Sequence, residues 1–167
     1  MDEASKTYSI YPNLFQEFVK GQVIDIGAGT DPITEGALVF DKLEGDAQEI
    51  DKYFPEMSFD TVFSSHCLEH MRDPRKAIKS WYKLVKPGGV LMVIVPDEDL
   101  YEQGHFPSIF NNDHKSTFTI SKSKSWSPVS VNCLDLCNEL GGEVLYLAQQ
   151  SDNYRSEEHT SELQSPC

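Results

Sequence analysis

Residues Gln22-Val23-Ile24-Asp25-Ile26-Gly27-Ala28-Gly29-Thr30-Asp31-Pro32 form a short apolar run cut off by a glycine-rich turn. Such a run suits a buried strand, and the glycines after it let the backbone bend sharply and come close to a ligand. Gly27-x-Gly29 alone is a weak signal. The dinucleotide fingerprint needs a third glycine where Pro32 stands, and proline offers a fixed φ and no N–H. A phosphate-binding loop is not indicated either, because no Gly-Lys-Ser/Thr follows the turn.

Outward from this stretch, Ala37 to Asp41 reads as a second strand and Phe59 to Ser65 as a third. Lys86-Pro87-Gly88-Gly89 is a turn, and Val90 to Val95 is wholly apolar, as a strand inside a parallel sheet should be. Helical spacing of Leu68, Met71, Ala77, Ile78, Trp81, Leu84 and Val85 predicts a helix over 68–85, with Asp73-Pro74 as a turn or second start. Ile10, Leu14, Phe15 and Phe18 predict a shorter helix over 8–20, closed by Gly21. Strands alternating with helices imply an α/β fold, a Rossmann-like doubly wound and mostly parallel sheet. Asp97 to Trp126 is polar and aromatic without period, which suggests a substrate-covering segment. A helix over 129–140, closed by Gly141-Gly142, and a strand over 143–149 complete the reading.

The chain has 167 residues, the size of one domain, with 14 basic and 27 acidic side chains and a net charge of −13. No cationic cluster offsets that charge, so a nucleic-acid backbone would be repelled. The longest apolar run is far too short for a bilayer, and the acidic N-terminus precedes no signal core, so a cytoplasmic protein is expected. No CxxC pair is present; Cys133 and Cys137 share a helix face, where buried thiols are expected.

Arg155 to Ser165 is polar and lacks any period. In translation it resembles the adapter ligated to fragments in short-read sequencing libraries, and is expected to be a non-native tail. The expected organisation is a helical segment over 1–20, a C-terminally truncated domain over 21–154 lacking its last antiparallel strand, and the tail over 155–167.

Ordered spacings strengthen the reading: Asp25-Ile26-Gly27-Ala28-Gly29, Asp41, Gly45-Asp46-Ala47, Phe59-Asp60, Leu68-Glu69-His70 and Leu84 to Gly89. Together they resemble the class I S-adenosylmethionine-dependent methyltransferases of the small-molecule type, over roughly residues 21–150. The resemblance implies S-adenosyl-L-methionine as cofactor and a small-molecule substrate; charge and apolar run length exclude nucleic acid and membrane as expected partners, and no obligate protein partner is inferred. It places Gly27, Ala28 and Gly29 against the methionine part and Asp25 on its ammonium. It also places Asp41 on the ribose hydroxyls, Asp46 and Ala47 on the adenine edge, and Ser64 and Ser65 beside the methyl group.

For acid–base work the candidates are His66, His70 and Asp97, the histidines because imidazole titrates near neutral pH. His66, Glu69 and His70 share one face if helical. No metal is assigned: where related quinone-pathway methyltransferases carry an acid ligand, this chain has His66. The competing readings are an NAD-dependent oxidoreductase and an inactive cofactor-binding module.

Overall fold

The computed structural model describes residues 3–120 and 122–152. Within it the chain divides into two units between Val95 and Pro96. The tail expected over 155–167 lies outside the described residues.

In the first unit, helices α1 (Glu3–Ile10) and α2 (Pro12–Phe18) precede strand β1 (Val23–Ile26). The single helix expected over 8–20 is thus broken, and Pro12 is the reason: it opens α2 near its N-terminus, where its missing N–H costs nothing. Strands β2 (Leu38–Phe40), β3 (Phe59–Ser65) and β4 (Val85–Ile94) join β1 in a parallel sheet of order β2-β1-β3-β4. Every residue of β1 is buried, which explains its unalternating apolar sequence. Ile24, Asp25 and Ile26 face Val62, Phe63 and Ser64 of β3.

The expected turn at Lys86 to Gly89 is absorbed into β4 as an irregularity. Phe59 pairs with Val85 and Thr61 already with Val90, so these four residues bulge from the ladder. The helix expected over 68–85 is also divided, into a 3-10 turn (Leu68–His70) and α3 (Pro74–Lys83). Asp73 caps α3 by accepting from the Lys76 amide at 3.0 Å, and Pro74 follows it. Ala77, Ile78 and Trp81 form its buried face. Another 3-10 stretch, Ala47–Lys52, is tied to α3 where the Trp81 indole donates to the Ala47 carbonyl at 2.7 Å.

One core of this unit collects Ala4, Phe15, Val23, Ile33 and Phe63, with Met92 and Ile94 packed against it. A row of edge-to-face aromatic contacts runs from Tyr53 through Phe40 and Phe54 to Phe59, with centroids 5.2 to 5.6 Å apart.

The sequence predicts no regular element at the start of the second unit, Asp97 to Trp126 being without period. Instead a π-helical turn (Glu98–Glu102) leads to a small parallel pair, β5 (Thr117–Thr119) and β6 (Ser130–Asn132), followed by α4 (Cys133–Leu140). Asn132 caps α4 through the Leu134 and Asp135 amides, and Gly141 ends it at φ +73°. The strand expected over 143–149 does not form: these residues join no ladder among the described residues, and Leu145 and Tyr146 are about half exposed.

Candidate cofactor site

The carboxyl ends of β1, β2 and β3 gather the residues singled out from the first unit. Asp25 is buried in β1, and its Oδ2 accepts from the Ile33 amide at 2.7 Å, which closes the glycine turn onto the strand. Burial, partly offset by that amide and reinforced by the charges of Asp31 and Asp41, pushes its carboxyl up to about 7. Gly27 and Gly29 have φ of +81° and +56°, a region that disfavours side chains. A Cβ on Gly27 would lie 2.7 Å from that of Cys67, whereas one on Gly29 would meet nothing within 4 Å. The turn is therefore packed at its root and open at its tip. Ala28 lies between them, its carbonyl accepting from the Asp31 amide at 3.0 Å.

Asp41 follows β2 and leans back over the turn, its Oδ2 accepting from the Gly29 amide at 2.9 Å. Asp46 caps the Ala47–Lys52 stretch through the Gln48 amide and pairs with Arg72 at 2.7 Å. Arg72 and that amide hold its carboxyl below the usual range. At the end of β3 the Ser64 hydroxyl donates to the Ile26 carbonyl at 2.9 Å, stapling β3 to β1. The buried Ser65 hydroxyl has no hydrogen-bond partner among the described residues.

His66 comes next, in left-handed backbone at φ +52° and partly exposed. Its Nδ1 stands 3.5 Å from Oε1 of Glu69, which is 1% exposed. Burial opposes the charge of Glu69, but His66 and then His70 overcome it and hold the carboxyl below its usual range. His70 ends the 3-10 turn, half-buried. Sequence spacing put His66, Glu69 and His70 on one face but carried no sign that Glu69 would be interior.

Asp97 belongs to the second unit. There its Oδ1 caps the π-helical turn by accepting from the Asp99 and Leu100 amides. Sequence reasoning missed two buried glutamates on that turn. Glu98 accepts from the hydroxyls of Thr117, Ser125 and Ser130 and from Lys122, at 2.6 to 3.1 Å. Glu102 meets Nδ1 of buried His114 at 2.6 Å, with Tyr101 stacked on the imidazole.

Residues 20–93 match the family model described as a methyltransferase domain. The chain is 31% identical over 71 residues to the ubiquinone/menaquinone biosynthesis C-methyltransferase UbiE of Vibrio campbellii, covering 41% of this chain and 27% of that protein. It is 38% identical over 50 residues to phosphoethanolamine N-methyltransferase 2 of Caenorhabditis elegans, covering 30% and 11%. The chain thus spans about a quarter of the first relative's length. The fold is that of a SAM-dependent methyltransferase from Archaeoglobus fulgidus, at TM-score 0.54 and 18% identity over 97% of this chain and 88% of that one. A SAM-dependent methyltransferase from Thermotoga maritima gives 0.53 and 19%, over 82% and 80%.

The residues gathered at these strand ends have a geometry that S-adenosylmethionine would fit. Space stands open at Gly29, a carboxylate lies beside it, and a buried hydroxyl without a partner ends β3. Ligands of open α/β sheets bind at such strand ends.

Proposed function

We propose that the protein is an S-adenosylmethionine-dependent methyltransferase acting on a small molecule. The observation that carries this is the clasp of Asp41 over the open tip of the glycine turn, 2.9 Å from Oδ2 to the Gly29 amide. A carboxylate at a strand end beside a glycine turn is what recognises a nucleoside's ribose hydroxyls. When bound, the cofactor supplies an electrophilic methyl group on a sulfonium.

In this reading the backbone of Gly27, Ala28 and Gly29 lies along the methionine part and Asp25 faces its ammonium. Asp41 takes the ribose, Asp46 and Ala47 the adenine edge, and Ser64 and Ser65 flank the methyl group. Holding the two reactants in line supplies much of the acceleration for such a displacement, up to roughly 7–11 kcal/mol. His66 accepts the proton that the acceptor loses, with His70 as the alternative. Asp97 is the remaining acid–base candidate, and its Oδ1 also caps the π-helical turn. The net charge of −13 supports a small-molecule acceptor over a nucleic acid. The free thiols of Cys67, Cys133 and Cys137 support a reducing compartment, the cytoplasm.

Calorimetry with S-adenosylhomocysteine tests the reading. Asp41→Ala should weaken binding at least tenfold, about 1.4 kcal/mol. No binding by the unaltered protein, or tighter binding of NAD, would replace it with another function.

A further inference from the structure

Glu69 is the least explained side chain of the first unit. A carboxylate 1% exposed normally gathers several donors, yet neither of its oxygens has a hydrogen-bond partner among the described residues. Burying an ion without donors is costly, so its retention needs a cationic or proton-sharing neighbour. His66 Nδ1 stands 3.5 Å away, an ion-pair distance at which the hydrogen bond is not closed. His66 itself is held at φ +52°, a left-handed conformation uncommon outside glycine, and it directly follows the β3 residues that end at the site. A strained backbone and an undersatisfied carboxylate thus meet in one pair.

We propose that Glu69 is the positioning residue of a proton-accepting dyad: its carboxylate takes the Nδ1–H of His66, which makes Nε2 the nitrogen that receives the acceptor's proton. The inference rests on the methyltransferase reading and adds a substrate property to it. An imidazole held as a base is of use when the acceptor atom carries a proton that must leave, as on a hydroxyl, an ammonium or an acidic carbon. The acceptor's X–H bond breaks and its proton forms an N–H bond on the Nε2 lone pair. The electron pair left on the acceptor becomes its bond to the methyl carbon, while the pair of the broken carbon–sulfur bond stays on sulfur. The imidazolium so formed lies beside the Glu69 anion, which offsets its charge.

Other titratable groups surround the pair. His70 and Cys67 lie on the same turn, and Asp25 and Asp41 at β1 and after β2 reach Cys67 with their charge. Burial, with the negative charges of Glu69, Asp41 and Asp25, pushes the Cys67 thiol up to about 12, so it stays neutral and does not compete for the proton.

Nitrogen-detected NMR of the histidine rings is the test, on the full chain, with Glu69→Gln and Glu69→Asp beside it. Neutral His66 should carry its proton on Nδ1. Glu69→Gln should lower the proton affinity of His66 about tenfold, a shift of about one pH unit, and Glu69→Asp should restore part of it. A neutral ring protonated on Nε2, or a His66 midpoint unmoved in Glu69→Gln, overturns the dyad. Should Glu69→Gln not fold, the tautomer of the unaltered protein and the midpoint in Glu69→Asp still decide. S-adenosylhomocysteine calorimetry on the same samples separates the two ideas: absent binding sinks the methyltransferase reading, whereas intact binding with an unmoved His66 sinks only the dyad.

Discussion

The Ile33 amide donates to Oδ2 of Asp25 across 2.7 Å, so the strand that begins the glycine turn also fastens its far end. Two carboxylates thus hold the loop, Asp25 at its far end and Asp41 at Gly29. Because burial raises the Asp25 carboxyl to about 7, the neutral acid is the form the fold prefers.

That preference fixes a pH dependence. A folded value above the unfolded one contributes stability in full below the unfolded value, and this is lost as pH rises through the folded value. Between about pH 4 and pH 7 the protein should lose a few kcal/mol relative to Asp25→Asn, whose amide oxygen can still accept from Ile33 and cannot ionise. Denaturant titrations of both proteins across that range would show the difference widening; a constant difference would place Asp25 at its ordinary value.

The two glycines of the turn should answer to substitution differently. Gly29→Ala meets no neighbour and bears mainly the left-handed backbone cost, about 1–2 kcal/mol. Its methyl group nevertheless enters the open space at the tip, so S-adenosylhomocysteine binding should fall more than stability does. Gly27→Ala drives a methyl group into Cys67 and should destabilise more, and Cys67→Gly in the same chain should recover part of the loss. Equal stability losses at the two positions would contradict this packing.

Trp81→Phe removes the only indole donor to the Ala47 carbonyl recorded among the described residues, while keeping most of the ring volume. The cost should be about 1–3 kcal/mol for the group left unsatisfied. Thermal unfolding would measure it, and a neutral outcome would mean that water replaces the indole.

In the second unit, burial opposes the charge of Glu98, but the hydroxyls of Ser130, Ser125 and Thr117 and the Lys122 ammonium outweigh it and hold the carboxyl below its usual range. Its contribution is present above the ordinary glutamate range and fades as pH falls through the lowered folded value. Glu98→Gln should cost about 2 kcal/mol at neutral pH and less in acid. Hydrogen exchange at Phe118 and Val131 would report the loosening; unchanged protection would show that the hydroxyls hold the segment without the charge.

The sheet of the first unit was legible because β1 and β3 are almost wholly buried runs and the apolar half of β4, though only half-buried, is bounded by Gly89 and Pro96. Asp41 and the glycine turn were legible for the same reason, being fixed by where strands end. Residues 143–149 hold the continuous apolar run Val144 to Ala148, which suits a buried strand, but such a run does not report whether a partner edge is available. Thr117–Thr119 and Ser130–Asn132 are too short to show any period. Glu69, Glu98 and Glu102 were illegible because acidic residues in polar surroundings read as solvated, and only the fold reveals which of them the chain encloses.

The hydroxyls and carboxylates inside the second unit also bear on temperature. Among the described residues, Glu98, Glu102, Ser108, Ser116, Thr117, Thr119 and Ser127 are buried there, beside few large apolar groups such as Phe118, Val131 and Leu136. Exposing apolar surface raises the heat capacity on unfolding and exposing polar surface lowers it. Per residue, this unit should therefore unfold with a smaller heat-capacity change than the sheet unit. Its stability curve should be the flatter one, so chilling weakens the sheet unit sooner.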